Sequence, residues 1–137
     1  MRKFLNIALV YAILAMCAGV FYREFTKLNG FTGDTMLSKI HPHLFILGTV
    51  IFLIAAVFAR KFDKTQLRRF RAFNIVYNIG VAATAAAMLA RGVFQVLGTE
   101  LSNGADKAIT YAAGTAHAVT AIGVIIFILT LRKTAKN

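Results

Sequence analysis

Four long runs of apolar residues alternate with short polar segments along the chain. The runs cover residues 4–22, 40–59, 73–97 and 110–131. A helix of about 20 residues spans a hydrocarbon core of about 30 Å, so each run predicts one transmembrane helix. The sequence therefore predicts an all-α membrane protein, a four-helix transmembrane bundle, whose single domain covers residues 1–137.

Basic residues concentrate at one end of the predicted helices. Eleven of the sixteen Lys and Arg residues precede the first run, separate the second run from the third, or follow the fourth. The positive-inside rule then places both termini and the middle loop in the cytoplasm. The net charge of +11 lies between apolar runs, which favours the lipid bilayer as the partner and argues against nucleic acid.

The N-terminal segment also resembles a secretory signal, and residues 14–17 resemble a lipoprotein cleavage box. Met16 stands where such a box requires a small residue before Cys17. We therefore expect this segment to remain as the first helix of the bundle.

Three short matches within the chain indicate an internal duplication. Residues 15–21 match residues 87–94, residues 26–30 match residues 99–104, and residues 48–54 match residues 123–129. The offset stays between 72 and 75 throughout. The bundle is thus predicted to consist of two parallel helical-hairpin repeats, about residues 4–59 and 72–131, related by an axis along the membrane normal.

The duplication singles out two of the three histidines. An offset of 74 carries His43 onto His117, which predicts that the two lie at equal depth and face each other. His41 and His43 point about 200° apart on a regular helix, so only one of them can share a site with His117. The repeat favours His43, and His41 stays open because it aligns with the small residues of its own helix.

The repeat also predicts where the second helix begins. If His43 lies as deep as His117, this helix begins near Asp34 and contains Pro42, which would kink it. The alternative is a helix that begins at Pro42, since proline is favoured in the first turn.

Two histidines on facing helices of a four-helix bundle are typical of a b-type haem, with one imidazole in each axial position. Small residues near His117 would leave room for the macrocycle. Arg91, and then Arg23 or Lys39, would pair with the propionates. Met88 is either a further residue of this site or a packing residue. The chain has no C-x-x-C-H motif, which excludes a covalently attached c-type haem.

Such a protein would act in electron transfer or in redox or gas sensing, with a second copy or a membrane redox protein as its partner. One alternative is a zinc or copper site built from His43, His117 and His41, with Glu24 as a further ligand. Another is a cofactor-free accessory or structural membrane subunit. Catalysis is not indicated, because no nucleophile–base pair or acid dyad stands out.

Three segments carry a resemblance to a known family: YREFTK at residues 22–27, NGFTG at residues 29–33 and HPHLFILG at residues 41–48. They resemble a bacterial family of small membrane proteins known as domain of unknown function 2871. The likeness covers essentially the whole chain and implies four spans and a bacterial cytoplasmic membrane, but no activity. The H-x-H-L-x-x-L-G element is also similar to helix starts in haem-copper-oxidase-like proteins, where such histidines bind haem or copper. Three histidines are too few for a haem-copper centre.

Overall fold

The chain forms four long helices in the computed structural model, which describes residues 1–59 and 64–134. The helices are α1 (Arg2–Leu28), α2 (Leu37–Phe58), α3 (Lys64–Leu97) and α4 (Asn103–Thr134). Each contains a stretch that is long and apolar enough to cross a membrane. The described residues form no strand. The prediction of an all-α bundle with four transmembrane helices is therefore confirmed.

Every helix is longer than its apolar run. α3 begins at Lys64, two turns before the apolar run starts, and carries Arg68, Arg69 and Arg71 in this extension. Hydropathy detects only the part of a helix that lies in hydrocarbon, and long basic side chains allow the helix to continue into the interface.

At the start of α4, Ser102 caps the helix by accepting from the backbone N–H of Ala105, at 3.3 Å.

The second helix begins at Leu37, close to the predicted start near Asp34, and Pro42 lies inside it. The alternative start at Pro42 is therefore wrong. Thr35 organises this helix end: its carbonyl accepts from Ser38 N (3.2 Å), and its hydroxyl donates to the carbonyl of Gly92 on α3 (3.0 Å). The beginning of α2 is thus attached directly to α3.

A π-helical segment, Leu44–Val50, interrupts α2 directly after His43. Pro42 lacks a backbone N–H and cannot donate to the carbonyl one turn earlier, which weakens the α-helical hydrogen bonding here. Tyr77 of α3 donates its hydroxyl to the carbonyl of Leu47, at 2.9 Å. Such segments occur often at functional sites. Nothing in the sequence argument predicted it.

The bundle consists of two hairpins, α1 with α2 and α3 with α4, which meet mainly where α2 packs on α3. Aromatic rings join all four helices near the basic end. The ring of Phe73 lies 4.6 Å from that of Phe127, and the ring of Phe4 lies 4.7 Å from that of Phe70. Phe52 of α2 is fully buried among them. Any four-helix bundle in which successive helices are antiparallel contains two hairpins that run parallel to each other. The two hairpins therefore do not test the internal duplication, and the two-repeat organisation stays a prediction.

Candidate functional site

The imidazoles of His43 on α2 and His117 on α4 lie next to each other. Their ring centroids are 6.4 Å apart and their planes make an angle of 82°. The two hairpins therefore contribute one histidine each to the same place. The repeat predicted this pairing of His43 with His117.

Each of these imidazoles contacts a carbonyl of its own helix. The Nδ1 of His43 lies 2.8 Å from the carbonyl oxygen of Lys39, and the Nδ1 of His117 lies 2.8 Å from that of Ala113. A carbonyl oxygen only accepts, so each contact is a hydrogen bond when the proton sits on Nδ1. In the neutral ring, Nε2 then keeps its lone pair. That is the form in which histidine binds a metal.

His41 lies on the opposite side of α2. Its Nδ1 is 3.0 Å from the carbonyl oxygen of Ala15 on α1, and its ring packs against Gly19. A Cβ at Gly19 would lie 3.4 Å from that Nδ1, so the imidazole is in van der Waals contact with α1. The structure thus places His41 between α1 and α2, away from the His43–His117 pair.

A cavity of about 380 Å³ adjoins the two facing histidines. Met88 is buried in its wall, and Ala87 and Ala113 are its small residues. The remaining lining residues are Met36, Lys39, His43, Arg91, Thr110 and His117. We call this space the histidine cavity. It contains five of the residues predicted from sequence: His43, His117, Met88, Arg91 and Lys39.

Arg91 is held in place at the end of the histidine cavity beside the start of α4. Its Nη2 donates to the carboxylate of Asp106 at 3.1 Å and to the hydroxyl of Thr110 at 2.8 Å. A guanidinium carries five N–H donors on three nitrogens. The contacts among the described residues engage only Nη2, which leaves donors for a carboxylate in the cavity.

Arg23 lies elsewhere. It is near the end of α1, its side chain is 80% exposed, and it approaches Glu24 at 3.9 Å. Neither residue lines the histidine cavity. The structure therefore does not bring Arg23 or Glu24 to the histidine pair, although the sequence argument had included both.

The small residues near His117, which were predicted to leave room for the macrocycle, point partly outward. Gly114 and Ala121 are exposed, and nothing lies within 4 Å of a Cβ built on Gly114. The buried face of α4 instead contains Ala116, Thr120, Gly123, Phe127 and Thr130. His117 is itself exposed and lies at the edge of this face. Hence the histidine cavity opens toward the surface of the bundle.

The part of the chain that the structure describes contains no group of three or more His, Cys, Asp or Glu residues that could hold a metal ion. A structural zinc site needs four protein ligands, and a catalytic one needs three. The three-histidine zinc or copper site is not supported, because His41 faces α1 while His43 faces α4.

Sequence reasoning missed Met36 and Ala87 as lining residues. Both are ordinary apolar residues without a chemical signal, and only the docking of α2 on α3 brings them to the cavity. Thr110 could have been predicted as a lining residue, since it lies seven residues before His117 and therefore on the same face of α4. The Arg91–Asp106 ion pair joins α3 and α4, and nothing in the sequence indicated it.

Residues 1–134 match the family described as "Protein of unknown function (DUF2871)". The chain belongs to this family. No curated protein and no solved structure matches it. Membership in DUF2871 agrees with the resemblance of the sequence and brings no activity.

Proposed function

We propose that this DUF2871 protein binds haem b through His43 and His117 and carries out electron transfer in a membrane. The distance between the two rings carries the proposal. If both rings bound one ion with metal–nitrogen bonds of about 2.0 Å, their centroids could lie up to about 6.3 Å apart. The measured separation is 6.4 Å.

The hydrogen bonds of the two rings support the same reading. Metal-binding histidines usually donate their other ring N–H to a carbonyl or carboxylate, which sets the tautomer and the ring orientation. The carbonyls of Lys39 and Ala113 are in position to accept these two bonds. Both imidazoles would then be oriented before the iron arrives.

The charges around the histidine cavity suit a ligand that carries carboxylates. Lys39 and Arg91 line it, and Asp106 is already paired with Arg91. Haem b has two propionates, and arginine binds carboxylates in bidentate geometry. The propionates would point toward the ends of α2 and α3 at which Lys39 and Arg91 lie.

A haem held by both His43 and His117 would favour electron transfer over gas sensing. It would supply one-electron chemistry, and the two histidines would leave no open position on the iron for a gas. We therefore propose electron transfer as the activity, with another membrane redox protein or a second copy of the chain as the partner.

The proposed location is the bacterial cytoplasmic membrane, with both termini on the cytoplasmic side. Four apolar helices support insertion in a bilayer. The sidedness rests on the sequence, in which eleven basic residues precede the first apolar run, separate the second run from the third, or follow the fourth.

An absorbance spectrum of the detergent-purified protein tests the proposal. We expect a Soret band, and sharp, separate α and β bands after reduction with dithionite. His43→Ala and His117→Ala should each abolish these bands or convert the spectrum to that of a singly ligated haem. His41→Ala is the matched control, because the same residue type two positions away faces α1, and it should leave the spectrum unchanged.

A colourless protein that haem added during purification does not colour would overturn the haem proposal and favour a cofactor-free accessory subunit. Loss of the bands in His41→Ala but not in His43→Ala would show that the wrong histidine had been chosen. Zinc or copper found by elemental analysis, in the absence of haem, would favour a metal site instead.

A further inference from the structure

A second, larger cavity lies on the other side of α2. It is a groove of about 990 Å³ between α1 and α3, with Ile40 and Leu44 of α2 at its floor. We call it the α1–α3 groove. It shares no lining residue with the histidine cavity. Its occupant is therefore a separate question from haem binding.

The groove follows α1 over most of the width of a membrane. Its lining on α1 extends from Lys3 to Phe21, a distance of about 27 Å at 1.5 Å per residue. Dividing the groove volume by this length gives a mean cross-section of about 37 Å², which is enough for extended hydrocarbon chains.

The middle of the groove offers few polar groups to an occupant. Tyr11 donates its hydroxyl to the side-chain oxygen of Asn78 at 2.9 Å, and the amide of Asn78 donates to the carbonyl of Asn74 at 2.7 Å. These groups are hydrogen-bonded to one another and need no partner in the groove. On the α3 side the wall consists mainly of the small side chains of Ala82, Ala85 and Ala86. A saturated chain could lie against such a wall without leaving a polar group unpaired.

Charge is found at one end only. Lys3 is the single charged residue among the described residues that line the groove, and Asn6 follows it on the same face of α1. Lys3 is exposed, and so is its neighbour Arg2. This end of the bundle also contains the exposed basic residues Arg68, Arg69 and Arg71 of α3 and Arg132 and Lys133 of α4. A ligand with an apolar body and an anionic head would complement both parts of the groove.

We propose that the α1–α3 groove is a binding site for an anionic phospholipid, with its acyl chains along α1 and its phosphate at Lys3. The burial of hydrocarbon against the apolar walls and the attraction between Lys3 and the phosphate both contribute to the binding of this lipid. A zwitterionic lipid would fill the same walls but would gain less from Lys3. The proposal is independent of the haem.

Native mass spectrometry of the full chain can test this directly. The protein is purified in detergent with equal amounts of phosphatidylglycerol and phosphatidylcholine of the same chain length, and the retained lipids are counted. We expect phosphatidylglycerol to be retained over phosphatidylcholine by about fivefold, the contribution of one lysine near a membrane surface. Lys3→Gln should remove this preference. Lys133→Gln, which neutralises an exposed lysine outside the groove at the end of α4, should keep it.

A second pair of variants tests the groove itself. Ala82→Leu places a larger side chain in the groove and should reduce the amount of lipid retained. Ala83→Leu introduces the same residue at an exposed neighbouring position that does not line the groove, so it should bind lipid like the unaltered protein. Equal retention of the two lipids by the unaltered protein would overturn the proposal. So would a preference that survives Lys3→Gln, or a lipid-free dimer that Ala82→Leu dissociates.

Discussion

His41 and His43 are two residues apart on α2 and contact different helices. The Nδ1 of His41 lies 3.0 Å from a carbonyl oxygen of α1, whereas the ring of His43 lies 6.4 Å from that of His117 on α4. Their directions differ because successive helical residues are rotated by about 100°. One histidine thus serves the packing of the first hairpin, and the other faces the second hairpin.

Replacing one proposed axial ligand should change the reduction potential of the haem. We expect His117→Met to raise it, by on the order of 0.1 V, because a thioether ligand favours ferrous iron more than imidazole does. A spectroelectrochemical titration of the purified protein measures the shift. His41→Met is the control and should leave the potential unchanged. An unaltered potential in His117→Met would mean that His117 does not bind the iron.

The role of Arg91 can be separated from that of Arg23 with an esterified haem. Arg91→Gln should weaken the binding of haem b about tenfold, since it removes a hydrogen bond between charged groups. The same substitution should hardly affect the binding of haem dimethyl ester, which has no carboxylates. Arg23→Gln should affect neither, because Arg23 lies outside the histidine cavity. Titrations of the haem-free protein followed by absorbance give the four affinities, and equal losses for both haems in Arg91→Gln would contradict the propionate contact.

Two glycines should respond differently to a methyl group. A Cβ at Gly80 would lie 2.6 Å from the backbone nitrogen of Thr120, so Gly80→Ala must push α3 and α4 apart. We expect it to destabilise the bundle by about 1–3 kcal/mol. Gly114→Ala meets open space and should be neutral or stabilise by up to about 1 kcal/mol, through helix propensity. Unfolding in mixed micelles with increasing dodecyl sulfate measures both, and equal stabilities would show that α3 and α4 are not in close contact here.

The proposed orientation in the membrane can be checked with reporter fusions. Fusions ending at Lys64 should be active with a cytoplasmic reporter, and fusions ending at Asn103 with a reporter that requires export. The reason is the concentration of basic residues around the α2–α3 connection, which resists translocation. The fusion at Asn103 also serves as the control for expression. The opposite pattern would reverse the orientation, and the same side for both would contradict a crossing by α3.

The sequence by itself predicted four helices that are long and apolar enough to cross a membrane, because an apolar run of about 20 residues can span a hydrocarbon core. It also predicted the pairing of His43 with His117 and the inclusion of Pro42 in the second helix. These inferences depend on local composition and on internal repetition. Both can be read without knowing how the helices pack.

Only the tertiary structure decided which faces of the helices meet. The outward position of Gly114 and Ala121 and the pairing of Arg91 with Asp106 depend on how α4 is rotated against α3. The separation of Arg23 from the site depends on where α1 packs. The π-helical segment likewise involves a contact between Tyr77 and Leu47, 30 residues apart. In a transmembrane helix most positions are apolar on every side, so hydrophobic periodicity says little about rotation. Close packing between particular side chains then selects the orientation.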